Sequence, residues 1–162
     1  LVQSSPGRET AVMAASIALL CTDGSDLALG AIRQGLDLLA APDRTVVVSV
    51  ASPVDPTLVT GTGFAGGVMT YDEKNDLVEA QRAAAQAHVD ETVAQLGLVD
   101  AETMVLIGDA GHEICRLAET LPAGVVVLGT HGRSGIKRAI MGSTSDYVVR
   151  HCVSPVLVQG AG

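Results

Sequence analysis

Short apolar runs along the chain alternate with longer stretches in which apolar residues recur every three or four positions. The runs are rich in Val, Ile and Leu, without regular alternation with polar residues, and are Ser16–Thr22, Thr45–Val50, Thr103–Ile107, Val125–Gly129 and Pro155–Val158. Strands covered on both faces have this pattern, which is typical of a parallel sheet between layers of helices. The pattern therefore predicts five strands buried on both faces.

The stretches between these runs have the spacing of amphipathic helices. They are Leu27–Leu39, Asp72–Leu96, Glu113–Leu121 and Ser143–Cys152. The first of them places five small or apolar residues on one face, namely Ala28, Ala31, Ile32, Gly35 and Leu39. Strands and helices in strict alternation predict an open α/β sheet, and a chain of 162 residues has room for one such domain, over 16–160.

Composition and charge exclude several classes of partner. The chain carries a net charge of −8 and has two Tyr, one Phe and no Trp, which argues against binding nucleic acid or an acidic membrane. The longest apolar run, Ala11–Cys21, has about half the length of a membrane span. Three Cys and four His in no ligand spacing argue against a disulfide framework or a metal site and favour a reducing cytoplasm.

Two segments fall outside the regular pattern. Arg8 before an apolar run loosely imitates a secretory signal, but one positive charge and no convincing cleavage site argue against it. Residues 1–15 are expected to be an expression remnant or a disordered extension. The segment Ala51–Thr70 contains a literal GxGxxG at 61–66, but prolines precede it and an acidic helix start follows. We interpret it as a loop, not as a dinucleotide fingerprint.

Candidate chemistry follows the first and fourth predicted strands. Ligands of open α/β sheets bind beyond the carboxyl ends of the strands. The first strand ends in Thr22-Asp23-Gly24-Ser25 and the fourth in Gly129-Thr130-His131-Gly132; nine residues later Gly142 precedes Ser143, Thr144 and Ser145. Glycines allow close backbone approach, and a helix N-terminus offers N–H groups and partial positive charge. These features predict a polyphosphate site.

Two points stay open: whether the basic residues near Gly142 form an anion site, and whether Asp23 binds ribose or caps a helix. Residues 129–152 hold Arg133, Lys137, Arg138 and Arg150 against Asp146, a local balance of +3 within an acidic chain. This island favours an anion site; the alternative is that Gly142 and Ser143 only cap a helix and the basic residues only solubilise. A carboxylate at Asp23 could accept hydrogen bonds from ribose, or it could cap the helix beginning near Ser25.

The motif G-2x-G-9x-G-[ST], formed by Gly129, Gly132, Gly142 and Ser143, occurs together with an Asp-Gly-Ser after the first strand and a closing Pro-Val-Leu-Val strand. In these features the chain resembles the ATP-binding subgroup of the universal stress protein family from Ser16 to Gln159. The resemblance implies a Rossmann-like fold, also described as adenine nucleotide alpha hydrolase-like. Its five-stranded parallel sheet has the order 3-2-1-4-5, with helices on both faces. It also implies a homodimer paired through the last strand, here Val153–Val158.

The resemblance assigns roles to individual residues. Asp23 is expected to meet ribose, the backbone of Val50 to meet adenine, and Leu128 and Gly129 to flank ribose and phosphate. Gly132, Gly142, Ser143 and Ser145 are expected to bind the phosphates. With Thr22, Arg133 and Thr144, these residues form the expected site for ATP, or for ADP or AMP, with Mg²⁺ as a companion ion.

The sequence shows no paired carboxylates at the expected site, no general base beside a hydroxyl nucleophile and no metal-ligand cluster. We therefore expect a cytoplasmic, homodimeric, nucleotide-binding regulator of the stress response with at most weak ATP hydrolysis. Two alternatives remain open at this stage. One is a dimeric interaction module that does not bind nucleotide, and the other is a slow ATPase.

Overall fold

The computed structural model describes residues 16–54, 70–130 and 141–160. Strands and helices alternate through these ranges as β1 (Ile17–Cys21), α1 (Asp26–Leu38), β2 (Arg44–Ala51), α2 (Tyr71–Leu96), β3 (Glu102–Ile107), α3 (Ala110–Thr120), β4 (Val125–Gly129), α4 (Ser143–His151) and β5 (Val156–Gln159). This order confirms the predicted one. The expected extension at 1–15 and the GxGxxG at 61–66 lie outside the described residues.

The five strands form one parallel sheet in the order β3-β2-β1-β4-β5, as the resemblance implied. β1 lies in the middle, where Leu19 pairs with Val46 of β2 and with Val126 of β4. The chain fills one side of β1 first and then the other, so the direction of winding reverses between β1 and β4. A crevice opens at the carboxyl ends of the strands at such a reversal.

The sheet separates two apolar cores. Leu19, Val48 and Val126 point toward α3 and α4, whereas Leu20, Val47 and Val127 point toward α1 and α2. The three central strands are buried on both faces, as predicted. For β3 and β5 that prediction was wrong: each has a strand neighbour on one side only and is partly exposed.

Helix α1 packs closely on the sheet because a glycine lies at the contact. The predicted inner face is confirmed, since all five of its residues are buried. A Cβ added at Gly35 would lie 2.6 Å from Cγ1 of Val127 in β4. Real Cβ atoms do not approach that closely, so the glycine sets the distance between α1 and β4.

Helix α3 begins three residues before the predicted Glu113. Its N-cap is Asp109, whose Oδ1 accepts a hydrogen bond of 3.0 Å from the backbone N–H of His112. The extra turn places Ala110 beside the carboxyl ends of the strands. Of the helices described, none is both long and apolar enough to cross a membrane.

Candidate functional site

A cavity of about 220 Å³ lies at the carboxyl ends of β1, β2 and β4, against the first turns of α3 and α4. The structure brings nine of the predicted site residues together around it: Thr22, Asp23, Val50, Leu128, Gly129, Gly142, Ser143, Thr144 and Ser145. Gly132 and Arg133 lie outside the described residues, as does His131.

Six further residues line this cavity and were missed at the level of sequence: Cys21, Ala28, Val48, Ala110, Ile114 and Thr130. A signal existed for some of them. Val48 lies two positions before Val50 on the same strand, so it shares its face of the sheet. Thr130 directly follows β4. Ala110 was missed because α3 was predicted to begin too late.

Asp23 does not cap α1. The cap is Ser25, whose Oγ accepts a hydrogen bond of 3.2 Å from the backbone N–H of Ala28. Asp23 Oδ1 in turn accepts from the backbone N–H of Ser25 at 3.1 Å and from its hydroxyl at 2.6 Å. The carboxylate is therefore held at the edge of the cavity through the capping serine.

The hydroxyl of Thr22 both donates and accepts a hydrogen bond within the fold. It accepts from the backbone N–H of Gly24 at 3.1 Å and lies 2.9 Å from Oγ1 of Thr92 in α2. Thr92 donates its own proton to the carbonyl of His88 at 2.7 Å, so Thr22 is the donor of the pair. Thr22 lines the cavity, but its hydroxyl bonds to α2.

Gly24 has a conformation that requires glycine. Its φ is +77°, and a Cβ there would overlap the imidazole ring of His88. The turn after β1 thus fits tightly between the cavity and α2.

The carbonyl of Thr130 ties the end of β4 to the start of α4. It accepts from the backbone N–H of Gly142 at 2.7 Å and from the hydroxyl of Ser145 at 2.9 Å. The Ser145 hydroxyl also contacts the carbonyl of Gly142 at 2.9 Å, and Ser145 is 2% exposed. The hydroxyl of Ser145 therefore anchors the helix start, while Ser143 and Thr144 line the cavity beside it.

Gly142 is the N-cap of α4, and no side chain of the described residues caps this end. The first N–H groups of a helix have no partner within the helix and carry partial positive charge. An uncapped helix start at the wall of a cavity is a ready-made site for an anion.

Of the predicted positive island, the structure describes only Arg150 and Asp146. The guanidinium of Arg150 lies 3.0 Å from a carboxylate oxygen of Asp146, and both side chains are exposed. Arg150 does not line the cavity, so the part of the island that the structure describes is neutralised. Arg133, Lys137 and Arg138 lie outside the described residues.

The remaining wall is neutral and apolar. Val48, Val50, Ala110 and Ile114 form it together with Cys21. Burial raises the pKa of the Cys21 thiol well above its ordinary value, with smaller contributions from Cys152 and Cys115. The thiol therefore stays protonated near neutral pH. This side of the cavity suits an uncharged, apolar group.

A parallel five-stranded sheet with its cavity at the reversal of strand order defines a doubly wound α/β protein. The sequence model of the universal stress protein family matches residues 16–159, and the chain belongs to that family.

Universal stress protein MJ0531 of Methanocaldococcus jannaschii is 28% identical over 137 residues, covering 85% of this chain and 77% of that protein. Universal stress protein YxiE of Bacillus subtilis is 28% identical over 144 residues, covering 86% and 95%.

Solved structures share the fold. The MJ0577 protein of Methanocaldococcus jannaschii superposes with a TM-score of 0.71 at 20% identity, over 91% of this chain and 96% of that one. A universal stress protein in complex with cAMP gives 0.56 at 21% identity, over 91% and 98%. A family member from Arabidopsis thaliana with AMP bound gives 0.55 at 14% identity, over 91% and 92%.

Proposed function

We propose that the cavity binds an adenine nucleotide, ATP being the favoured form, and that the protein is a nucleotide-responsive regulator in the stress response. The observation that carries this proposal is the uncapped N-terminus of α4 at the cavity wall. Phosphate groups are among the anions that such a helix end binds, and two adjacent hydroxyls add donors to it.

The rest of the cavity suits a nucleoside. Its apolar wall, with Val50 on the sheet and Ile114 on α3, can hold a purine, and the backbone of Val50 can pair with the edge of the base. Asp23 is positioned to accept hydrogen bonds from ribose hydroxyls. Gly132 and Arg133 remain predicted phosphate contacts that follow from the family resemblance alone.

The two nucleotide-bound neighbours support the adenine class. Their names give cAMP for one and AMP for the other, each on the same fold. They do not indicate how many phosphates this chain binds. The preference for ATP rests on the N-terminus of α4 at the cavity wall. Within the described residues no group of three metal-ligating side chains occurs. Any Mg²⁺ would therefore be held mainly by the phosphates.

Regulation is favoured over catalysis by the groups present. Asp23 is the one carboxylate among the described residues that line this cavity, and no histidine of that set joins it. A slow ATPase would show itself as multiple-turnover release of phosphate. The three thiols are free, which suits a reducing cytoplasm.

Thermal unfolding with ATP, ADP, AMP and cAMP, each with and without Mg²⁺, tests the proposal. ATP at a hundred times its Kd should stabilise the fold by about 2.7 kcal/mol, which raises Tm by roughly 5–10 °C. Protein stripped of any copurified nucleotide is the starting material. Unchanged melting with all four nucleotides would leave the nucleotide-independent interaction module as the better reading.

We also propose a homodimer that pairs through Val153–Val158. β5 is an edge strand among the described elements, with N–H and C=O groups on one side available to another chain. Val149 and Val153 are 46% and 76% exposed beside it. Pairing of this edge with its own copy gives a closed two-fold assembly that covers these apolar side chains.

A further inference from the structure

A second cavity, of about 310 Å³, lies on the other face of the sheet, between the end of β2 and helix α2. Its walls include Ser49, Ser52, Gln81, Ala84, Ala85 and His88. It borders the first cavity at Asp23 and Val50 but extends away from the N-terminus of α4. Of the nucleotide contacts proposed above, Asp23 and Val50 also line it, whereas Gly142, Ser143 and Thr144 line the first cavity alone.

Ser49 is the residue of this cavity that indicates a ligand, because its side chain is buried and its hydroxyl is unpaired within the described residues. It alternates along β2 with Val48 and Val50, so its side chain points to the α2 side, and the residue is 2% exposed. Its hydroxyl makes no hydrogen bond to any side chain or backbone group in the described chain. Buried hydroxyls are almost always paired, and Thr92, 1% exposed on the adjoining helix, follows that rule.

The chemistry of the walls narrows the class of ligand. Hydroxyl and amide groups offer both donors and acceptors, beside alanine methyl groups. No Lys or Arg belongs to the described lining, and the carboxylate of Asp23 lies at its border, so an anion is disfavoured. We propose that this cavity is a second binding site, for a small uncharged molecule that both donates and accepts hydrogen bonds, such as a polyol or a carboxamide.

Amide NMR titration of the full chain with ribitol and, separately, with nicotinamide tests the site. Fragments of this size should bind with a Kd of about 1 mM. At least one probe should shift the amide signals of Ser49, Ala51 and Gln81, and inorganic phosphate should not. If only water satisfies Ser49, neither probe will bind and the proposal fails.

Two alanines on the exposed side of α2 provide a matched pair of variants. Ala84 lines the cavity, whereas its neighbour Ala83 does not, and both are exposed. Ala84→Phe should block the probe, and Ala83→Phe should leave its Kd unchanged. Equal binding to both variants would overturn the assignment. ATP titration of the same variants reports on the first cavity, so failure of one site is distinguishable from failure of the other.

Ser49→Ala separates a binding role from a structural one. Loss of one hydrogen bond should weaken the probe about five- to tenfold. Removal of an unpaired buried hydroxyl should also raise the Tm of the ligand-free protein, by roughly 2–4 °C. A lowered Tm with unchanged affinity would show that Ser49 serves the fold instead.

Discussion

At the scale of single residues, Gly142 has an ordinary backbone. Its φ of −65° and ψ of 156° are available to any L-residue, so a side chain there brings no backbone strain. Gly142→Val should therefore fold normally but lose ATP binding, because the branched side chain crowds the N-terminus of α4. Isothermal titration measures the loss, and circular dichroism checks the fold. ATP affinity equal to that of the parent in a folded variant would show that the phosphate cradle is misplaced.

Ser143 and Ser145 should respond differently to replacement by alanine. Ser143→Ala should weaken ATP about ten- to hundredfold, because a hydrogen bond to a charged group is lost, with little change in stability. Ser145→Ala should mainly lower stability, by roughly 1–3 kcal/mol, because the one buried hydroxyl proton that the carbonyls of Thr130 and Gly142 share is lost. Urea unfolding and ATP titration of both variants test the contrast. The opposite pattern would assign the phosphate contact to Ser145.

Some residues of the candidate site could be predicted from the sequence, whereas the hydrogen bonds of others could not. Motif spacing identified Gly142 and Ser143, because glycines and hydroxyls at a helix start have a local signature. The occupied hydroxyls of Thr22 and Ser145 could not be predicted, since their partners Thr92 and Thr130 lie 70 and 15 residues away. Such pairing depends on tertiary packing, which residue type and spacing do not encode.

At the scale of elements, replacing either of two glycines within α1 by alanine should change the stability of the fold in opposite directions. A Cβ at Gly35 would press on Val127, whereas one at Gly30 would meet nothing within 4 Å. Gly35→Ala should cost about 1–3 kcal/mol through overpacking, partly offset by the higher helix propensity of alanine. Gly30→Ala should stabilise by about 0.5–1 kcal/mol. Denaturant unfolding of both variants measures the difference, and stabilisation by both would mean that α1 can move off β4 freely.

Predicted elements were most accurate where burial controlled the pattern. β4 was predicted with its observed bounds. It lies between β1 and β5, is almost wholly buried, and its sequence is a continuous apolar run. The start of α3 was missed since Gly111 and His112 interrupt the apolar spacing, although Asp109 is a typical N-cap. β3 and β5 look apolar enough to be central, and only the sheet order shows that they lie at the edges.

At the scale of the whole molecule, the dimer proposal rests on the edge formed by β5. Val153→Glu places a charge among exposed apolar side chains next to β5 without touching the core, so it should give a folded monomer. Val99→Glu is the matched control, because Val99 is 93% exposed near the opposite edge of the sheet. Light scattering reports the mass of each. A dimer that survives Val153→Glu would place the interface elsewhere.

The overall fold class followed from alternation of elements, but the sheet order came with the family resemblance. Hydrophobic spacing predicts which segments are strands and does not say which strand lies beside which. The second cavity was not foreseen for a related reason. It exists only because α2 packs over β2, which brings Gln81 and His88 across from Ser49.

The central position of β1 has a consequence for the order in which the protein can fold during synthesis. β1, β2 and β3 are complete once residue 107 has been made, but β4 gains its second neighbour only when residues 156–159 have been made. The helix start at Gly142 is likewise translated after more than four-fifths of the family domain. All described residues that line the second cavity are therefore translated by His88, whereas the first cavity is complete only once the start of α4 has been made.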